Sequence, residues 1–164
     1  MEEETPRFAK EFEVVWKTTD RRIDHINFEY VCDIAEHGRK AIGKYTNERF
    51  LVVALDLEKR YIGESQINAG DSDMSVVDIT ALLRHIIMVG GKKIVIFHNH
   101  PGCGPEPSMP DVMLTKAVVM LCAFLKIEVL DHIIIGEDDY YSFKESPRKR
   151  RLLTLNPATL AGFR

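Results

Sequence analysis

His98 and His100 stand one residue apart directly after the apolar run IVIF, and Ser108 and Asp111 follow within the segment HNHPGCGPEPSMPD. In an extended chain the side chains at i and i+2 share a face, so the two imidazoles aim at one point while Asn99 turns away. Pro101, Gly102, Gly104, Pro105, Pro107 and Pro110 then replace the strand by a turning loop. Asp111 returns a carboxylate at its end. Two imidazoles and one carboxylate, with one position left for water, form the donor set of a catalytic zinc; a structural zinc would close that position with a protein ligand. The spacing predicts one zinc per chain, held by His98, His100 and Asp111.

Helix capping gives a second account of some of the same letters. Ser108 as an N-cap with Asp111 three residues later reads as a capping box. Capping leaves unexplained the two same-face histidines at the end of an apolar strand, where each imidazole needs a polar partner to be buried. A metal explains them, and Ser108 and Asp111 are compatible with both accounts.

HxHP followed closely by SxxD resembles the JAMM zinc metallohydrolase motif of MPN domains. HNHP, PEPS, LDHIIIG and YYSF together resemble the RadC-like JAB-domain proteins, over roughly residues 48 to 143. The resemblance implies a three-layer α-β-α domain with a mixed central sheet, related to the cytidine deaminase fold. It also implies a metal-activated water attacking an amide bond. In the JAMM pattern the catalytic glutamate precedes a strand upstream of the histidines, which falls on Glu48 in NERFLVVALD; Glu64 on the next strand is the runner-up. The resemblance also places Ser108 near the metal, where its hydroxyl stabilises the oxyanion of a tetrahedral intermediate. His98 and His100 are each expected to give their second ring nitrogen to a carbonyl or carboxylate, Asp131 being one candidate. His132 reads as a strand histidine with a satisfied hydrogen bond.

Two positions depart from the family. HNHPGCG stands where the family commonly has HNHPSG, placing Cys103 beside the expected metal with its thiol toward solvent. VVDIT stands near Ser75 where the family often carries an Arg-Glu pair.

The chain of 164 residues, 45% hydrophobic, is long enough to bury a core without staples. Its formal charge of -3 offers phosphate no global attraction, and the one basic run, Arg148 to Arg151, reads as a solvated tail. Cys32, Cys103 and Cys122 are odd in number and form no CxxC pair, which fits free thiols in a reducing compartment. No apolar run is long enough to span a bilayer and the acidic start is unlike a secretion signal, so the expected location is the cytoplasm.

Hydrophobic periodicity supplies the elements that must position the ligands. Residues 1–27 read as an N-terminal extension with a short strand at 11–16, residues 28–145 as the JAB-like domain, and residues 146–164 as a basic tail. Within the domain, Phe28, Val31, Ala35 and Ile42 recur at helical spacing. RFLVVALDL and RYIGESQINAG make a hairpin turning near Glu58 and Lys59. Ser75 or Asp78 caps a second helix that Gly90-Gly91 ends before the strand KKIVIFH. After the loop comes an apolar helix from Val112 to Leu125, then the strand EVLDHIII, a turn, and YYSF.

Three functional classes follow. The resemblance implies a zinc-dependent hydrolase of amide bonds, with a peptide or isopeptide substrate such as a ubiquitin-like conjugate. A DNA-repair-associated role is carried by the family name alone, and the stretch ahead of the JAB-like region is too short for the helix-hairpin-helix segment of longer members. A non-catalytic MPN scaffold is expected to lose the ligands that this chain keeps. A zinc deaminase is excluded because neither HxE nor PCxxC occurs. The letters HNH do not make an HNH nuclease, whose residues are spread over a ββα finger.

Overall fold

The computed structural model describes residues 28–68 and 79–155; the strand expected at 11–16 and the caps expected at Ser75 and Asp78 lie outside them. Helix α1 spans Val31–Ile42, and its buried residues Val31, Ile34, Ala35, Gly38 and Ile42 fall on one face at the spacing an amphipathic helix requires. Strands β1 (Arg49–Leu55) and β2 (Tyr61–Asn68) form the expected antiparallel hairpin. Its turn is tied by Asp56 Oδ1, which accepts from the Arg60 amide at 2.8 Å, and Lys59 takes the left-handed conformation (φ 63°).

Helix α2 runs Ile79–Val89 and stops at Gly90, whose φ of 73° suits a residue without a side chain. Strand β3 (Lys93–Asn99) pairs antiparallel with β1. Helix α3 (Met109–Phe124) then crosses over to β4 (Glu128–Ile135), which lies parallel to β3, and β5 (Tyr140–Ser142) returns antiparallel beside it. The sheet order is β2-β1-β3-β4-β5, so β3 is central. Burial on both faces explains why it reads as an unbroken apolar run.

The two faces carry separate cores. Leu51, Val53, Leu55, Val95, Phe97, Ile133 and Ile135 pack on α1. Phe50, Val52, Ile94, Ile96 and Val129 meet Leu82 and Ile86 of α2 and Val118, Val119 and Cys122 of α3. This is the expected three-layer α/β arrangement with a mixed sheet. A closing 3-10 turn (Arg150–Thr154) places Leu152 and Leu153 against the cores while Arg148, Arg150 and Arg151 stay exposed.

Candidate metal centre

The end of β3, the start of β1 and the first turn of α3 meet at one point. His98 pairs with Phe50 across the strands and its ring stacks on the phenyl ring at 4.9 Å between centroids. His100 lies just past the strand, held beside β4 by its amide, which donates to the Ile135 carbonyl at 2.9 Å. Nε2 of His98 and Nε2 of His100 are 2.9 Å apart; Asp111 Oδ1 lies 3.2 Å from the first and Oδ2 3.5 Å from the second. The three residues form a group able to hold a metal ion. Their separations bracket the roughly 3.3 Å edge of a tetrahedron drawn around zinc with bonds of about 2.05 Å.

Asp111 reaches this point because it is also a cap. Ser108 is the N-cap of α3: its amide donates to Asp111 Oδ2 at 2.7 Å, its hydroxyl to the same oxygen at 2.6 Å, and its Oγ accepts from the Asp111 amide at 3.3 Å. The capping box therefore exists and fixes the carboxylate rotamer that faces the histidines. Burial alone would raise the Asp111 pKa, but the neighbouring imidazoles of His100 and His98 and the Ser108 hydroxyl hold it well below the usual carboxylate range. The Asp111 carboxylate in turn favours the protonated form of His100 and raises its pKa against the opposing effect of burial.

Hydrogen counting bears on the fit of a metal. His100 Nδ1 lies 3.2 Å from the Gly104 carbonyl, which only accepts, so Nδ1 carries the hydrogen and Nε2 offers a lone pair to the cluster. That outer carbonyl is the partner a metal-bound histidine needs.

Glu48 lies two residues before Phe50, and His100 two residues after His98. Antiparallel pairing thus brings them to the same end and face of the sheet. Glu48 and His100 line one cavity of about 710 Å³ together with Ser108 and Asp111, and Phe50, Met113 and Leu114 supply apolar wall. Glu64 pairs with Val53 and so faces the α1 side, where His37 Nε2 meets its Oε2 at 2.7 Å. The structure separates the two candidate bases by the thickness of the sheet.

Three positions matter that sequence reasoning assigned no role here. Asn99, 2% exposed, turns away from the histidines as expected and grips the segment bearing Glu48. Its Oδ1 accepts from the Arg49 amide at 2.7 Å, and its Nδ2 donates to the carbonyls of Tyr45 and Asn47 at 3.1 and 3.2 Å. His132 and Thr115 are fully buried beside His98: His98 Nδ1 is 2.9 Å from His132 Nε2, and His132 Nδ1 is 2.7 Å from Thr115 Oγ1. Only the apolar strand setting of His132 hinted at a required partner.

Asp131 is not the partner of His98 or His100. It faces the other way and ties β5 to β4, accepting from the Ser142 hydroxyl and from the amides of Lys144 and His132. Cys103 is exposed on the rim of the cavity. Its loop is laid down by Gly102 (φ 65°) and by close packing on Gly136, where an added Cβ would sit 2.8 Å from Pro105 Cδ.

A family model described as RadC-like JAB domain matches residues 28–149, well over half of the chain. The chain belongs to the RadC-like JAB domain family. The HxHP and SxxD residues that carried the resemblance are thus the ones the fold gathers at the end of β3, as a donor set suited to a metal whose identity the side chains alone leave open. Among the described residues no helix is long and apolar enough to cross a membrane.

Proposed function

We propose that this chain is a zinc-dependent hydrolase of amide bonds, a metallopeptidase acting on peptides or on isopeptide conjugates of the ubiquitin-like kind. The observation that carries the reading is the convergence of His98, His100 and Asp111 on one point, with His100 and Asp111 lining a cavity that also holds Glu48 and an apolar flank. Zinc bound there supplies Lewis acidity and lowers the pKa of water. Glu48 is the general base: its carboxylate takes a proton from the attacking water and returns it to the departing amine. Asn99 keeps that carboxylate in place through the backbone of residues 45–49. Ser108 holds Asp111 through its amide, and its hydroxyl, turned from Asp111 Oδ2 toward the cavity, stabilises the oxyanion that develops on the substrate. Phe50, Met113 and Leu114 accept apolar substrate surface. The free thiols of Cys32, Cys103 and Cys122 support a cytoplasmic setting.

The test is a zinc-dependent cleavage screen over linear peptides and ubiquitin-like conjugates with Glu48→Gln as control. The wild type should carry about one zinc, and Glu48→Gln should retain it while losing roughly 10²–10⁴ in rate, the usual worth of a positioned base. A wild-type protein without zinc, or a Glu48→Gln variant that cleaves normally, would reject the reading. The DNA-associated alternative rests on the exposed Arg148, Arg150 and Arg151. It requires salt-dependent duplex binding that survives removal of the metal.

A further inference from the structure

We propose that Thr115 and His132 form a one-way hydrogen-bond relay that locks His98 with its hydrogen on Nδ1 and its Nε2 lone pair on the zinc position, which makes both of them positioning residues. This rests on the zinc-site reading and names residues outside the three ligands.

The direction follows from counting hydrogens. Thr115 Oγ1 lies 2.6 Å from the backbone carbonyl of Asp111, one helical turn earlier. A carbonyl oxygen only accepts, so the single hydroxyl hydrogen of Thr115 is committed there. Thr115 Oγ1 is then an acceptor toward His132 Nδ1, 2.7 Å away, and Nδ1 carries a hydrogen. His132 is wholly buried and its two ring nitrogens face a hydroxyl and a second imidazole, with no carboxylate among the described residues hydrogen-bonded to the ring, so the ring is neutral and has only that one hydrogen. Its Nε2 is therefore a bare acceptor. His98 Nδ1, 2.9 Å from that atom, must donate, and His98 Nε2 is left as a lone pair facing His100 and Asp111.

The relay has no slack in which to reverse. Phe143 stacks on His132 at 5.0 Å and Phe50 stacks on His98 at 4.9 Å, so neither ring can turn to find another partner. Among the described residues no buried side-chain nitrogen or oxygen lacks a partner. Run backward, the chain would place a hydrogen on His98 Nε2, where it would occupy the position that the metal needs. The relay also starts on the Asp111 carbonyl and ends on the histidine that faces the Asp111 carboxylate. It ties α3, β4 and β3 into one ring around the site. A neutral histidine as the outer partner orients His98 without adding a second negative charge beside Asp111.

Two measurements test this. Long-range ¹⁵N–¹H spectra of the imidazoles in the metal-free protein should show both His98 and His132 hydrogenated on Nδ1. Zinc affinity, read by competition with a chromophoric chelator, should fall by about 10–100-fold in Thr115→Val, which removes the terminal acceptor at constant shape, and recover in Thr115→Ser. If Thr115→Val does not fold, the pair His132→Phe and His132→Gln replaces it: Phe removes the acceptor and should weaken zinc to the same extent, while Gln restores an oxygen near Nε2 and should recover it. A His98 ring hydrogenated on Nε2, or a folded Thr115→Val or His132→Phe protein with wild-type affinity, would overturn the relay. If the wild type binds no zinc at all, the functional reading fails, and the spectra still decide the direction of the relay.

Discussion

Each face of the sheet brings histidine to carboxylate, with different results. On the α1 face, His37 Nε2 meets Glu64 Oε2 at 2.7 Å, bordered by the rings of Tyr61 and Phe97. One ring nitrogen can give one hydrogen to one oxygen there, and the contact is complete as a pair. On the α2/α3 face, two Nε2 atoms face each other at 2.9 Å with Asp111 Oδ1 3.2 Å from the nearer. The Nδ1 hydrogens of those rings are spent on His132 and on the Gly104 carbonyl. What converges is a surplus of lone pairs, which needs a cation between them. Closeness of histidine and acid is therefore a poor sign of a metal site, and the hydrogen count is a good one.

The comparison breaks most visibly at His100. His100→Ala should abolish zinc retention, weakening affinity by more than about a hundredfold, because a ligand loss exceeds the 10–100-fold cost of losing an outer partner. Zinc should raise the melting temperature of the wild type and leave that of the variant unchanged, since only the wild type gains binding energy in the folded state. Protons compete for the same lone pair. Because Asp111 raises the His100 pKa above its ordinary 6.5, wild-type zinc affinity should already weaken as pH falls toward that value. A wild type whose melting point ignores zinc would show the surplus to be structural.

Asn99 extends the comparison to the proposed base, Glu48. Asn99→Asp would set an acceptor-only carboxylate against the carbonyls of Tyr45 and Asn47 in a residue 2% exposed. Stability should drop by about 3 kcal/mol in urea unfolding, the scale of a buried unsatisfied charged group. Hydrolysis should fall with it as Glu48 loses its anchor, while zinc content stays near one. An Asn99→Asp protein as active as the wild type would remove Asn99 from the support of Glu48.

The parts of the site legible in the sequence are those set by local geometry. His98 and His100 share a face because of strand period two, and Asp111 joins them because the helix start needs an N3 acid after Ser108. Glu48 came from resemblance, and its place beside His100 depends on β1 lying antiparallel to β3, which no local signal announces. His132 and Thr115 were unreadable for the same reason. They meet His98 only because β4 lies parallel to β3 with Ile96 opposite His132, and because α3 lies over that pair. The two helix-bearing faces followed from periodicity; the strand order did not.

Asp131 is the contrasting buried acid, deprived of a cationic neighbour strong enough to offset its burial. Its pKa is pushed up to about 6 by burial, against the hydrogen bonds from Ser142, Lys144 and His132. A raised folded-state pKa means that the native protein holds a proton the unfolded chain has released. This contribution is full below about pH 4 and is lost as pH rises through about 6. Urea midpoints should thus show a decline across that window that is absent in Asp131→Asn, whose side chain does not titrate. The same slope in both proteins would assign the titration to another group.

The smallest effect is expected at Glu64, on the face where histidine and carboxylate already satisfy each other. Glu64→Gln keeps an oxygen for His37 and removes the charge, so the contact becomes a neutral hydrogen bond in a position only partly shielded from water. Such a change costs about 1 kcal/mol or less. Zinc content and cleavage should be unaltered, because Glu64 points to α1 and the centre lies across the sheet. Loss of cleavage with zinc retained in Glu64→Gln, together with normal turnover in Glu48→Gln, would move the base to the α1 face. That outcome would require the strands to present these two residues on faces opposite to those the pairing of Val53 with Glu64 and Phe50 with His98 dictates.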